Sequence, residues 1–194
     1  MDSKTIILMG KCGAGKGTQA KLLCDHLAKT GKVIYLETGS SFRSYIKEKS
    51  FSSLLSREIM NAGERQPEFL AVLMWGNLLL KNIITGNEHI VIDGAPRALS
   101  EAVVLDTAFS FYKRNKPNVI LLGIHDDTVL QRLLKRGRED DNPKDIATRL
   151  SWFKKDVVPA IEFFKENTKN YNYKIIDANR PPEEVHSLII QTLA

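Results

Sequence analysis

The residues with the clearest chemical purpose are Gly10-Lys11-Cys12-Gly13-Ala14-Gly15-Lys16-Gly17-Thr18. Closely spaced glycines let a backbone curl until successive N–H groups point at one anion. A helix starting there adds its positive end, and Lys16 adds a point charge for the outer phosphates. The strict phosphate loop ends Gly-Lys-Ser/Thr; here Gly15-Lys16-Gly17-Thr18 puts the hydroxyl one place later. A plain turn of small residues is the competing reading, but an apolar run precedes the loop and a helical pattern with Leu22, Leu23, His26 and Leu27 follows it. A dinucleotide reading would use Gly13-x-Gly15 and the acid Glu37. Its third glycine falls on Thr18, and Lys16 would crowd a pyrophosphate that needs only backbone amides.

The loop needs elements to hold it. Short continuous runs rich in Ile, Val and Leu lie at 5–9, 33–36, 89–93, 118–124 and 173–176, as expected of strands buried on both faces. Amphipathic stretches intervene. Over 143–165, Ile146, Leu150, Phe153, Val157, Ile161 and Phe164 mark one face of a single predicted helix, and another helix is predicted over 68–84. Such alternation predicts an α/β fold, a parallel sheet of about five strands with helices on both faces. Its ligands belong at the carboxyl ends of the strands.

Composition narrows the remaining classes. The chain has 194 residues, 43% hydrophobic and 26% charged, too apolar for a disordered chain. Its longest apolar stretch, 69–76, is far shorter than the ~18 residues of a membrane helix, and the start has too short an apolar core for a signal peptide. Cys12 and Cys24 make no disulfide scaffold or zinc module and fit a reducing compartment, so a cytoplasmic protein without membrane partners is expected. The net charge of +5 invites an anionic partner. The basic residues are dispersed, however, and the densest patch, Lys135-Arg136-Gly137-Arg138, runs into Glu139, Asp140 and Asp141, which disfavours nucleic acid.

Four segments in order resemble the adenylate kinase or nucleoside monophosphate (NMP) kinase family over nearly the whole chain. Gly10 to Gln19 is similar to that family's phosphate loop, with Gly17-Thr18 in the family's own frame. Thr38-Gly39-Ser40-Ser41-Phe42-Arg43 resembles the segment that binds the monophosphate, and Asp93-Gly94-Ala95-Pro96-Arg97 resembles its Asp-Gly-Phe-Pro-Arg. Arg132 to Asn142, followed by Arg149, resembles the arginine-rich lid edge and the next helix.

The resemblance implies a P-loop NTPase-type core (1–37, 85–136 and 142–194), a helical NMP-binding insertion (38–67) and a short-lid form whose lid is only 137–141. It implies transfer of the γ-phosphoryl group from ATP to an NMP, most simply AMP. Magnesium would be bound mainly by phosphates and water, and the protein would be monomeric. By matching position, Gly13, Ala14, Gly15, Lys16, Gly17, Thr18 and Arg136 would hold the donor. Thr38, Gly39, Arg43, Gly94, Ala95, Pro96 and Arg97 would hold the acceptor. Arg138 and Arg149 would clamp the transferring group, and Asp93 would orient water on magnesium. Such chemistry needs positioning and charge neutralisation rather than a general base. His26, His89, His125 and His186 are accordingly scattered.

The chain departs from the family pattern in places. Cys12 replaces a proline, and its thiol beside a helix start is expected to be acidified. Ala95 replaces a phenylalanine. Gly63-Glu64-Arg65-Gln66-Pro67 puts the polar Glu64, Arg65 and Gln66 at a base pocket that is normally apolar. Arg180 replaces a glycine near the donor base, where it would stack on that base or block it. Glu101 replaces a glutamine that reads adenine. An ionised carboxylate only accepts hydrogen bonds, which suits guanine's two adjacent donors and opposes adenine's ring nitrogen. The other reading of Glu101 is a solvated helix residue. Thr38-Gly39-Ser40 is expected to cap the helix after it, and Asp140 or Asp141 the helix at Pro143. A GMP kinase and, in another class, a catalytically silent nucleotide-binding protein are the alternatives.

Overall fold

Five apolar runs become one parallel sheet in the order β2-β3-β1-β4-β5. They are β1 (Thr5–Met9), β2 (Val33–Glu37), β3 (His89–Asp93), β4 (Asn118–Gly123) and β5 (Asn172–Asp177). The computed structural model describes residues 3–138 and 141–193. The helices among the described residues are α1 (Lys16–Leu27), α2 (Thr38–Tyr45), α3 (Phe51–Asn61), α4 (Glu68–Asn82), α5 (Leu99–Phe111), α6 (Asp126–Arg136), α7 (Pro143–Trp152), α8 (Val158–Glu166) and α9 (Pro182–Leu193). None of them is long and apolar enough to cross a membrane.

The central strands alternate their side chains between two cores. Ile7 and Met9 of β1 join Ile92, Trp75, Leu105 and Phe164 on one face. Ile6 and Leu8 join Leu23, Val91, Ile120 and Ile189 on the other. This period of two, covered on both sides, is why those strands read as continuous apolar runs. A fully buried side chain such as Leu23 or Phe164 stabilises the fold by about 1.5–3 kcal/mol.

The predicted single helix over 143–165 is instead α7, a π-helical turn at Phe153–Val157, and α8. Pro159 has no N–H to donate to the carbonyl four residues back. The ladder widens one step earlier, where the Val158 amide bonds to the Phe153 carbonyl. The helix at Pro143 is capped by Asn142, whose side chain accepts from the Asp145 amide at 3.0 Å. The expectation of an aspartate cap therefore fails for Asp141, and Asp140 lies outside the described residues. α2 has Glu37 at its N-cap with no side-chain bond. Thr38 does not cap it either, because its hydroxyl donates to the Gly94 carbonyl at 2.6 Å.

Candidate active site

The loop after β1 wraps the start of α1. Gly15 occupies the N-cap position in a left-handed conformation (φ 89°), with open space where a Cβ would sit. No acidic residue stands in the first turn of α1, so the helix's positive end is left for an anion. The Lys16 ammonium donates to the carbonyls of Gly10 (2.7 Å) and Lys11 (2.9 Å), crossing the mouth of the loop. Burial lowers its pKa; Asp93 opposes that, and the charges of Arg97 and Arg136 reinforce it. The Cys12 thiol is pushed up by burial, against the pull of Arg149, Lys16 and Arg136. The expected acidic thiol is therefore wrong, because desolvation outweighs three cations.

Facing the loop, β3 ends at Asp93, whose Oδ2 accepts a hydrogen bond from the Tyr35 hydroxyl at 3.3 Å. A Cβ on Gly17 would lie 3.4 Å from that oxygen, so the carboxylate borders the phosphate loop. Magnesium favours one or two carboxylates, phosphate oxygens and retained water. Asp93 fits that pattern, and no group of three or more His, Cys, Asp or Glu among the described residues forms a cage of its own.

Beyond β3 the chain turns at Gly94 (φ 87°). A Cβ there would stand 2.6 Å from the Thr38 hydroxyl and 2.9 Å from the Arg97 guanidinium, so only glycine fits. Arg97 Nε donates to the Gly94 carbonyl at 2.7 Å, and its guanidinium lies 6.0 Å from the Trp152 ring centroid. Arg43, whose Nη2 is 2.7 Å from Glu37 Oε1, also reaches the edge of Gly39, as Arg97 does. Two guanidinium groups thus converge beside one glycine, a geometry suited to an oxyanion. That ion pair also occupies Glu37, the acid of the dinucleotide reading.

A third set of cations gathers on Asp141. Arg136 bonds both carboxylate oxygens (Nε to Oδ2 2.8 Å, Nη2 to Oδ1 2.7 Å), Arg149 reaches Oδ1 at 3.0 Å, and the Arg138 amide reaches Oδ2 at 3.1 Å. Burial works against the charge on Asp141, but the bonds from Arg136, Arg149 and the Arg138 amide hold its pKa at about 2. Sequence reasoning missed this role. The only signal was an acid placed between two proposed phosphate-binding arginines.

Beside Arg97 lies a small pocket lined by Thr38, Phe42, Ala71 and Gly94 together with Arg65, Gln66 and Glu101. Glu101 is 1% exposed, which ends the reading of it as a solvated helix residue. Gln66 lines the pocket, but its amide is engaged by Ser56 on both sides, accepting from the hydroxyl and donating to the carbonyl at 2.8 Å each. Glu64 is exposed, and Ala95 is buried in the core. Arg180 stays on the surface, paired with Asp177 and Glu184.

The sequence profile of the family described as adenylate kinase matches residues 8–169. The chain belongs to the adenylate kinase family. It is 32% identical over 191 residues to the adenylate kinase of Prochlorococcus marinus strain MIT 9301, covering 98% of this chain and 99% of the relative. It is 34% identical over 191 residues to that of strain NATL1A, with 98% of each chain covered. Its identity to the adenylate kinase of Corynebacterium glutamicum strain R is 29% over 188 residues, covering 97% and 98%. As a member of this family, the protein is an enzyme of the nucleoside monophosphate kinase class with a P-loop core.

Proposed function

We propose that this adenylate kinase family member moves the γ-phosphoryl group of ATP to an NMP in one in-line step. The bond from the γ-phosphorus to its bridging oxygen breaks, and a bond to an acceptor phosphate oxygen forms. ADP and a nucleoside diphosphate leave. The acceptor is already an oxyanion near neutral pH, so no side chain has to remove a proton. The observation that carries this reading is that three cationic groups lie near the phosphate loop: Lys16 within it, Arg97 (with Arg43 beside Gly39) and Arg136 close enough for their charges to act on Lys16, and Arg149, which shares Asp141 with Arg136, close enough to act on Cys12.

Lys16 and the amides of Gly13 to Thr18 bind the donor phosphates. Arg43, Arg97 and Thr38 hold the acceptor phosphate. Arg136, Arg138 and Arg149 neutralise charge that spreads over the equatorial oxygens during transfer. Asp93 would hold water on a magnesium ion carried by the phosphates, and that ion would supply further charge neutralisation. In this reading 38–67 is the acceptor-binding segment and 137–141 the lid; Glu139 and Asp140 of the lid lie outside the described residues. The relatives' shared name favours AMP as acceptor. One observation of this chain, the facing of Glu101 and Arg65 in the acceptor pocket, favours GMP.

The test is coupled phosphotransfer from ATP-magnesium to AMP, GMP, CMP, UMP and dAMP. Turnover with at least one is expected, and none would refute the reading. Lys16→Ala and Arg97→Ala are each expected to lower turnover by about 10²-fold or more, as for a lost charged contact to the transition state. Wild-type turnover in either variant would refute its assignment.

A further inference from the structure

Two departures from the family pattern meet in one pocket. Arg65 stands where an apolar residue normally touches the base, and Glu101 stands where a glutamine normally reads adenine. The structure places them face to face, with Arg65 Nη1 3.5 Å from Glu101 Oε1.

Arg65 is shared among three carboxylates, those of Glu101, Glu68 and Asp156. A tight guanidinium–carboxylate bond is about 2.7–2.9 Å long, and the contact with Glu101 is longer. Arg65 is drawn instead to Glu68 (3.1 Å) and Asp156 (3.4 Å), which hold its Nη2 and Nε. Among the described residues, the side-chain hydrogen bond to Glu101 is this one long contact. The Arg97 amide and the charges of Arg97 and Arg65 favour its ionised form against burial, and Glu101 lines a pocket whose other walls include Phe42 and Ala71.

We infer that the acceptor base of this enzyme is guanine, read by Glu101 and Arg65 together. Guanine offers two adjacent N–H donors, at N1 and the 2-amino group, and Glu101 in ionised form accepts both. On the same base, O6 and N7 are acceptors that match the fork of an arginine. Adenine reverses both relations: its N1 accepts, so it faces the carboxylate unfavourably, and its 6-amino group donates toward the guanidinium. Gln66, the remaining amide in the pocket, is held on Ser56 through both its oxygen and its nitrogen. The inference rests on the NMP kinase reading for the reaction itself, in which ATP becomes ADP and GMP becomes GDP.

The test has two arms on the full chain. Calorimetric titration with GMP, IMP and AMP measures recognition alone, and initial rates with ATP-magnesium and the same three acceptors measure transfer. GMP is expected to exceed AMP by about tenfold or more in affinity and in kcat/KM, because a site built around hydrogen-bonding groups rejects the analogue that leaves them unpaired. IMP, which lacks the 2-amino group, is expected to fall between them. Glu101→Gln should lower the GMP-to-AMP ratio by about 100-fold, and Arg65→Leu should weaken GMP without weakening AMP. AMP bound as tightly as GMP by the unmodified enzyme overturns the base assignment while leaving the kinase reading intact. So does a Glu101→Gln variant that lowers both acceptors equally. Selective binding of GMP with no turnover of any acceptor would uphold the base assignment and overturn the kinase reading. No binding of any of the three would overturn both.

Discussion

Replacing Asp141 by asparagine isolates the cation cluster. The native carboxylate has no exposed side-chain surface and receives hydrogen bonds from Arg136, Arg149 and the Arg138 amide. A carboxyl held at about 2 when folded, against 3.8 ordinarily, is worth about 2.5 kcal/mol at neutral pH. Arg136 is a third exposed, so solvent screening brings the figure nearer to about 2 kcal/mol. For a chain of this size that is a fall in Tm of about 4–8 °C. The sign follows from the depressed pKa. The stabilisation is complete above the unfolded pKa and is lost as pH falls from about 4 toward about 2. Urea unfolding of both proteins should show the gap in full at neutral pH and roughly halved near pH 3. Asparagine also turns N–H donors toward the guanidinium groups, so Arg136 and Arg149 lose their shared anchor. Turnover is expected to fall by about 10–100-fold, as when a preorganised charge contact is displaced. A variant with unchanged turnover and a Tm within about 1 °C of the native enzyme would show that Asp141 positions nothing.

Two further outcomes follow from the acceptor side. In Gly94→Ala the new methyl meets the Thr38 hydroxyl and the Arg97 guanidinium, at 2.6 and 2.9 Å, on a left-handed backbone; we expect a loss of about 1–3 kcal/mol in urea unfolding and a raised acceptor KM, and a neutral variant would contradict the crowding. Burial raises the Glu101 pKa, against the Arg97 amide and the charges of Arg97 and Arg65 and with the help of Glu68; Asp156 faces the same cluster through Arg65. As pH falls, Glu101 gains a proton and comes to present one donor and one acceptor, as glutamine does. The GMP-to-AMP ratio of kcat/KM should therefore shrink as pH is lowered, a ratio in which the titration of the phosphates largely cancels. Glu101→Gln should show no such slope, and a flat ratio in the native enzyme would refute the coupling.

Much of this molecule is legible along the chain because its signals are local. The strands are continuous apolar runs since both faces of the sheet are covered, and the glycine loop is recognisable because phosphate cradling needs neighbouring residues. The parts that were misread depend on neighbours distant in sequence. Cys12 stands at a helix start, which suggests acidity, but burial sets its pKa. Thr38 resembles a cap, yet its hydroxyl finds Gly94, 56 residues away. The helix over 143–165 has an unbroken apolar stripe, and only Pro159 betrays the π turn at Phe153–Val157.

The sequence by itself determined the sheet, the phosphate loop and the list of arginines worth watching, because periodicity and motif spacing are properties of contiguous residues. The tertiary structure decided which charges meet. It set Asp141 between Arg136 and Arg149, buried Glu101, and turned Arg65 to face it from 36 positions away. Electrostatic energy depends on separation and burial in space, and neither is written in the order of the residues.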